Sequence, residues 1–559
     1  MITQINNILA ACLVGCGIAA TMTSCSDDDA ITGDPERDWQ GTTESFVSSD
    51  EQGFSTYYTP AIGRVGDPMP FFDQKAGDFK VLYLQEFDNN LSHRFHPIWA
   101  VATKDGAGYE SLGEVLPYGD NDYEQDAALG TGCCYYNEKD GLYYIYYTGH
   151  NGNCRYREAV MRATSADFKT WTKDPLWQLN GPDYGYSSND FRDPQVFVAD
   201  DGLFHMVVST YPQAGGDPVF AEFKSEDMKS WEHVGRFKMV WDRMLECPDI
   251  FKMGDYWYLV YSEAVATPWS RKVKYMMATT FDGLKACFND PGANWPRDGR
   301  EGVLDSRAFY AGKTASNGSD RYIWGWCPTR SGNTIDEKNI NVGGEKDGEE
   351  PNWSGALVCH KVIQHADGTL SLGEVPAIKA KYNQQQQVKV MASNGATMSD
   401  ASPSGPITLS GDDAYVLFSR LEAHNHLSLT VKTSNNWDKF GLSLVRGTDS
   451  KKYYTMVINP ENENWRKVNF EQEGEEGKGF ISGIDSYGFD RPADNTYHID
   501  IYTDNSVIVM YVRSTSGRSQ GENDVVCYTQ RIYGIQKNCW SVNNYGGSVT
   551  VSDVTLATY

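Results

Sequence analysis

The stretch "RATSADFKTW" (residues 162–171) decides the fold, because the chain repeats it. "FKSEDMKSW" (223–231) and "MATTFDGLKACF" (277–288) follow the same plan, and "AVATKDGAGYESLG" (100–113) is a weaker copy. Each is a short strand that ends in Ala or Lys followed by Ser or Thr, then an acidic residue in a turn, then often Trp. The copies stand roughly 55 to 60 residues apart, the spacing of a repeated structural unit. Between them lie aromatic strands such as "GLYYIYYTGH" (141–150), "GLFHMVVST" (202–210) and "DYWYLVYSE" (255–263). No long helical period intervenes. Short antiparallel strands at this period predict propeller blades of about four strands each, and about 320 residues then make five blades. An array of β-sandwiches is the alternative.

The chain has 559 residues, too many for one core, so at least two domains are expected. The propeller is placed at residues 51–380. Inside it, "SGNTIDEKNINVGGEKDGEEPN" (331–352) reads as a long surface loop, and residues 356–376 as a closing hairpin. From 388 to 559 short alternating strands return, among them "LSLTVKTS", "FGLSLVRG" and "YHIDIYTDNSVIVMYV". They predict a C-terminal β-sandwich. The fold class is therefore all-β.

Residues 1–25 read as an export leader. Ile8 to Ala20 is apolar and too short for a stable membrane span. "MTSC" (22–25) places small residues before Cys25, and an acidic run follows. This resembles a bacterial lipoprotein site of the kind found in surface-exported Bacteroidetes lipoproteins, with Cys25 as the lipidated residue. Cys16 is the rival, but cleavage there leaves a very short apolar region. Residues 26–50 then form a polar, acidic tether. The expected location is the outer membrane, at the cell surface or the periplasmic face, held by lipid rather than by a spanning segment.

The net charge of −26 argues against nucleic acid or an anionic membrane face as partner. Aromatics reach 13%, which suits strands and also suits stacking on sugar rings. Nine cysteines follow Cys25, an odd number without any CxxC pair, so neither a zinc site nor a disulfide framework is expected.

Three carboxylates stand out: Asp67 in "VGDPMPFFD", Asp193 in "FRDPQVF" and Glu246 in "LECPDIF". Each lies at the edge of an apolar strand and within two residues of a Pro. In a propeller the innermost strand of each blade lines the central channel, so acids at matching blade positions converge on one pocket. Two carboxylates suffice to cleave a glycosidic bond: one attacks or activates, the other donates a proton. Arg192 beside Asp193 favours the ionised form if the side chains meet, although neighbours on a strand point to opposite faces. Taken singly, each Asp is more often a turn cap than a catalyst.

The "RDP" and "ECPD" segments, after an Asp-Pro near the start of a propeller, resemble glycoside hydrolase family 32, the family of invertases, levanases and inulinases. "YYTPAIGRVGDPMPFFD", "GTGCCYYNEKDGLYYIYYTGH" and "VLDSRAFYAGKT…RYIWGWCPTRSG" resemble further family segments, over about residues 55 to 375. The resemblance implies cleavage of fructosyl linkages with retention, in fructan or sucrose-like glycans. Asp67 is the implied nucleophile and Glu246 the acid/base. Asp193, with Arg192, is implied to hold sugar hydroxyls. Gln85, Trp99, Thr131 and Trp326 are implied furanose contacts, with Trp326 also a core candidate. Three departures point to an altered pocket. Gly66 replaces the family's Asn before the nucleophile, Thr131 replaces a Ser, and Ala308 replaces an Asp, with Asp305 close by.

Two other readings use the same residues. One is an inverting arabinan- or xylan-type propeller hydrolase. The other is a non-catalytic surface lipoprotein that captures glycan for neighbouring uptake machinery. The expected partner in each case is an oligo- or polysaccharide. In the sandwich, His424 and His426 share a strand face and could bind metal, but no third ligand is apparent. No metal and no cofactor are expected, since glycoside hydrolysis by acid and base needs neither.

Overall fold

The computed structural model describes residues 56–559 except 61–62, 88–95, 240–243, 264–271, 287–301, 331–350, 399–402, 404, 437, 447–451, 463–466, 474–488, 491, 515–523 and 532–538. The leader, the tether and Cys25 lie outside the described residues, as does most of the 331–352 loop.

The repeated stretch has a physical basis. In the first copy Asp167 Oδ1 accepts from the N–H groups of Lys169 and Thr170 at 2.9 and 2.8 Å. In the second, Asp227 Oδ1 does the same for Lys229 and Ser230 at 2.8 and 3.0 Å. Phe168 and Met228 then turn inward at φ +61° and are buried. The acidic residue satisfies backbone donors, and the turn drives one apolar side chain into the blade. The third copy departs from this plan. Phe281–Ala286 is a short helix, with Gly283 N donating to Thr280 Oγ1 at 2.9 Å.

The strands form antiparallel meanders. The first is β1 (Arg64–Asp73), β2 (Asp78–Glu86), β3 (Ile98–Thr103) and β4 (Glu110–Leu116). The second is β5 (Ala128–Asn137), β6 (Leu142–His150), β7 (Glu158–Ser165) and β8 (Thr172–Leu179). The third is β9 (Tyr186–Val198), β10 (Phe204–Pro212), β11 (Val219–Ser225) and β12 (Glu232–Lys238). Next come β13 (Leu245–Met253), β14 (Tyr256–Glu263) and β15 (Val273–Ala278). The last group is β16 (Tyr310–Ser316), β17 (Arg321–Arg330) and β18 (Pro351–Gln364), with β19 (Leu370–Gly373) paired to β18. The innermost strands close a ring, β1 against β5, β5 against β9, β9 against β13, β13 against β16, and β16 against β1. Pairing of β1 with β18 at Val65 and Gly355, and of Tyr58 with Leu357, ties the last group to the first. Each meander packs on both faces. The middle strand β6 is accordingly buried from Tyr143 to Gly149, and its sequence is a continuous aromatic run rather than an alternation.

The C-terminal strands show the opposite pattern. His424–Thr433 alternates buried and half-buried residues almost throughout, so it has one apolar face. Its core joins Leu427, Leu429, Val431, Ile499 and Ile501 to a Phe418–Trp540 stack at 4.2 Å. The 20-residue strand Cys539–Thr558 pairs with Ile407–Phe418, His424–Thr433 and Phe440–Arg446, and so carries hydrogen bonding through the sandwich.

His424 and His426 do not share a site. His424 Nδ1 lies 2.6 Å from Asp504 Oδ1, and His426 Nε2 lies 2.8 Å from Asp500 Oδ1. Eight cysteines among the described residues are free thiols, and all but Cys154 are buried.

Sandwich and propeller meet at a buried polar cluster. Asp305 accepts from Thr529 N at 2.7 Å and Thr529 Oγ1 at 2.5 Å, and lies 3.1 Å from His360 Nε2. His360 Nδ1 lies 2.7 Å from Tyr511 Oη. Removing one member of a buried charged cluster strands the others. Asp305→Ala should therefore cost about 3 kcal/mol or more of stability, read as a lower midpoint in thermal or urea unfolding. A midpoint equal to that of the parent would show that this cluster does not dock the sandwich.

Candidate active site

Alternation alone would scatter the three acids. In the structure a β-bulge on each innermost strand collects them. Register shifts lie between Val65 and Pro68, between Gly130 and Gly132, and between Arg192 and Gln195. Two more lie between Glu246 and Asp249 and between Tyr310 and Lys313. A bulge inserts an extra residue and re-aims its side chain. Asp193, Cys247 and Ala311 take φ of +58°, +52° and +55° at these points, conformations that residues other than glycine adopt rarely. The sequence expectation that Arg192 and Asp193 face opposite ways is thereby corrected. Both line one cavity of about 450 Å³, together with Asp67, Thr131, Glu246 and Tyr310.

Each carboxylate has defined partners. Asp67 Oδ1 accepts from Trp326 Nε1 at 2.8 Å, and Oδ2 from Thr131 Oγ1 at 2.6 Å. The Thr131 carbonyl accepts from Thr148 Oγ1 at 2.9 Å, and that hydroxyl oxygen accepts from Asp193 N at 3.0 Å. Asp193 Oδ2 accepts from Cys247 N at 2.8 Å. Glu246 Oε1 accepts from Arg192 Nη1 at 3.3 Å, and Oε2 from Tyr310 Oη at 2.9 Å. The chain of bonds thus runs through the whole ring of innermost strands.

Arg192 is itself fixed. Its Nε donates to Glu158 Oε1 and Oε2 at 3.1 and 2.9 Å, and its Nη2 to Asp190 Oδ1 at 2.6 Å. Burial pushes the Glu158 carboxyl up, but bonds from His150 and Arg192 outweigh it and hold the group below its usual range. Asp193 behaves in the opposite way. Burial and then the charge of Glu246 raise it to about 7, against the pull of Arg192. Arg192 therefore does not keep Asp193 below the ordinary carboxylate range, as adjacency in sequence suggested. Burial is the stronger effect.

The other implied contacts are placed as follows. Thr131 lines the cavity and holds Asp67. Trp326 is buried and bonds to Asp67 from behind the wall, so it is at once a core residue and a partner of the site. Gln85 is buried and donates to Glu86 O at 3.2 Å, and Trp99 packs edge-on against Phe87 at 6.0 Å. Among the described residues neither lines the cavity. Asp305 is committed to Thr529 and does not restore a carboxylate where Ala308 stands. Residues not singled out in the sequence also line the cavity: His96, His150, Glu158, Tyr310 and Trp353. Tyr310 lies in the "RAFYAGK" segment and His150 closes "GLYYIYYTGH", so these two lay within stretches already quoted from the sequence.

A larger cavity of about 580 Å³ opens at the other ends of the same innermost strands, past Met69, Gln195, Asp249 and Lys313. It holds none of the three acids. Its own buried acid, Asp249, is taken up by Thr314 N and Oγ1 at 2.9 and 2.6 Å. The smaller cavity is therefore the candidate site.

The N-terminal domain model of glycosyl hydrolases family 32 matches residues 58–373. The chain belongs to glycoside hydrolase family 32. A second model, described as the C-terminal domain of the GH32, BT1760-like type, matches residues 368–556. The levanbiose-producing levanase of Geobacillus stearothermophilus is 27% identical over 215 residues, covering 37% of this chain and 49% of that protein. The sucrose-6-phosphate hydrolase of Zymomonas mobilis is 26% identical over 233 residues, covering 37% and 42%. The chain thus spans about half or less of the length of these curated relatives. Among solved structures, fructan 1-exohydrolase IIa from Cichorium intybus superposes with a TM-score of 0.65 at 16% identity, covering 91% of this chain and 97% of that one. Sucrose-6-phosphate hydrolase from Lactobacillus gasseri gives 0.64 at 15%, covering 94% and 96%. At these identities the structures establish the shared fold, a propeller followed by a β-sandwich.

The raised Asp193 carboxyl makes a prediction about pH. Folding strengthens its hold on a proton, so its contribution to stability is lost as pH rises from the ordinary carboxylate range through about 7. Asp193→Asn keeps an acceptor for Cys247 N and removes the buried charge. The variant should melt above the parent by about 1 kcal/mol or more at about pH 8, and the gain should shrink at about pH 5. A gain independent of pH, or a loss at the higher pH, would contradict the assignment.

Proposed function

We propose that the protein hydrolyses β-fructofuranoside linkages in fructan or sucrose-like glycans with retention of configuration. The observation that carries this is the convergence of Asp67, Asp193 and Glu246 on one cavity, with both oxygens of Asp67 and of Glu246 held by hydrogen bonds. In the first step Asp67 attacks the anomeric carbon, the glycosidic C–O bond breaks, and Glu246 gives its proton to the leaving oxygen. In the second, Glu246 takes a proton from water, the water oxygen bonds the anomeric carbon, and the Asp67 ester breaks. Burial and the charge of Glu246 raise the Asp193 carboxyl to about 7, so a proton is held beside Glu246 into the neutral range. Arg192, clamped by Glu158, sets the position of Glu246 and offers charge to the sugar's hydroxyls. Family membership counts against the inverting arabinan-type reading. The named activities of the relatives, levanase and sucrose-6-phosphate hydrolase, support a fructosyl substrate.

Glu246→Gln tests the acid role. It should slow fructose release from levan or inulin by about 10²- to 10⁴-fold. It should leave the first step on an aryl fructofuranoside, whose leaving group needs no proton, close to that of the parent. Equal loss on both substrates would contradict a proton-donor role.

We further propose that Cys25 carries a lipid that holds the enzyme at the outer membrane, where it would supply products to glycan-uptake machinery. The "MTSC" stretch and the acidic run after it support this. Cys25→Ala should move the protein from the membrane fraction to the soluble fraction in a cell fractionation. Unchanged membrane retention would point to another anchor.

A further inference from the structure

The residue before Asp67 is a glycine whose backbone does not require one. Gly66 is absent from the glycines with positive φ. What requires it is space. A Cβ at Gly66 would overlap the Trp353 ring at Cη2 and come within 2.6 Å of Cζ2 and 3.0 Å of Cζ3. Trp353 is half-buried, lines the catalytic cavity, lies tilted at 31° with its ring 4.5 Å from that of His96, and meets Trp326 edge-on at 6.4 Å. Its direction is built in. Ser354 takes φ +77°, its Oγ accepts from Arg64 Nε at 3.2 Å, and β18 is out of regular register with β17 at this point.

We propose that Gly66 and Trp353 are a matched pair, and that the Trp353 indole is an aromatic platform for the sugar ring bound beside Asp67. This deepens, and rests on, the reading of the cavity as a fructoside site. A side chain at position 66 could hydrogen-bond one sugar hydroxyl. The indole takes that place and contacts the ring's apolar face instead. Stacking reads shape and apolar area, whereas a buried hydrogen-bond partner penalises any substrate that lacks the matching group. The pocket should therefore tolerate furanosides altered at that hydroxyl better than a pocket with a polar side chain at 66.

The test is a cycle of Gly66→Asn, Trp353→Ala and the double variant, with Trp353→Phe as the control that keeps a ring. Binding of fructose is followed by ligand-detected NMR, and kcat and KM are measured on an aryl fructofuranoside. Trp353→Ala should weaken fructose binding and raise KM about tenfold or more, with a much smaller change in kcat. Trp353→Phe should recover most of the loss. Gly66→Asn alone should cost far more than Gly66→Asn in the Trp353→Ala background. If Trp353→Ala lowers the melting midpoint but leaves fructose binding and KM unchanged, the ring only fills space and the proposal is overturned. Equal costs of Gly66→Asn in both backgrounds would overturn the pairing. If the parent binds no fructose and cleaves no fructoside, the fructoside reading itself fails. The pairing is then still decided by the melting midpoints of the same four proteins.

Discussion

The bulge on each innermost strand governs everything else in the site. A regular strand would turn successive side chains alternately toward and away from the channel. One extra residue per strand breaks that alternation at the level of Asp67, Thr131, Arg192–Asp193, Glu246 and Tyr310. The ring of strands supplies the positions, and the bulges supply the direction. Backbone conformations that are unfavourable for Asp193, Cys247 and Ala311 persist because the packed blades on either side leave no alternative.

The electrostatics follow from that crowding. Asp67, Asp193, Glu246 and Glu158 face one cavity, and the Arg192 guanidinium contacts two of them, Glu158 and Glu246. Glu158 takes the closer share of the guanidinium. Asp193 is left to burial and to repulsion from Glu246, and it retains a proton into the neutral range. Such a site destabilises the fold locally and persists because the packed blades on either side hold it.

The architecture was legible because it is written in periodicity. Repeats such as "SADFKTW" mark a turn whose acidic side chain satisfies backbone donors, and the aromatic runs mark strands buried on both faces. The alternating pattern of residues 424–433 marks a sandwich strand with one apolar face. The acids were legible as acids beside prolines. Their convergence needed the ring, and the partnership of Arg192 with Glu246 needed two bulges, which leave no clear trace in alternation. Glu158 and Trp353 were hidden for a different reason. Glu158 begins a strand of ordinary appearance, and Trp353 follows a long charged loop, so only the folded chain brings them to the cavity. The departure at Gly66 was visible in sequence as a missing hydrogen-bonding group. Its cause, the ring of Trp353, was not.

The proposed reaction turns on a covalent bond between Asp67 and the sugar. The most direct measurement is mass spectrometry of peptides from Glu246→Gln quenched during turnover of an aryl fructofuranoside. The peptide containing Asp67 should become heavier by one fructosyl unit and lose it on longer incubation. Turnover with no adduct on that peptide, and a first product of inverted anomeric configuration, would contradict it.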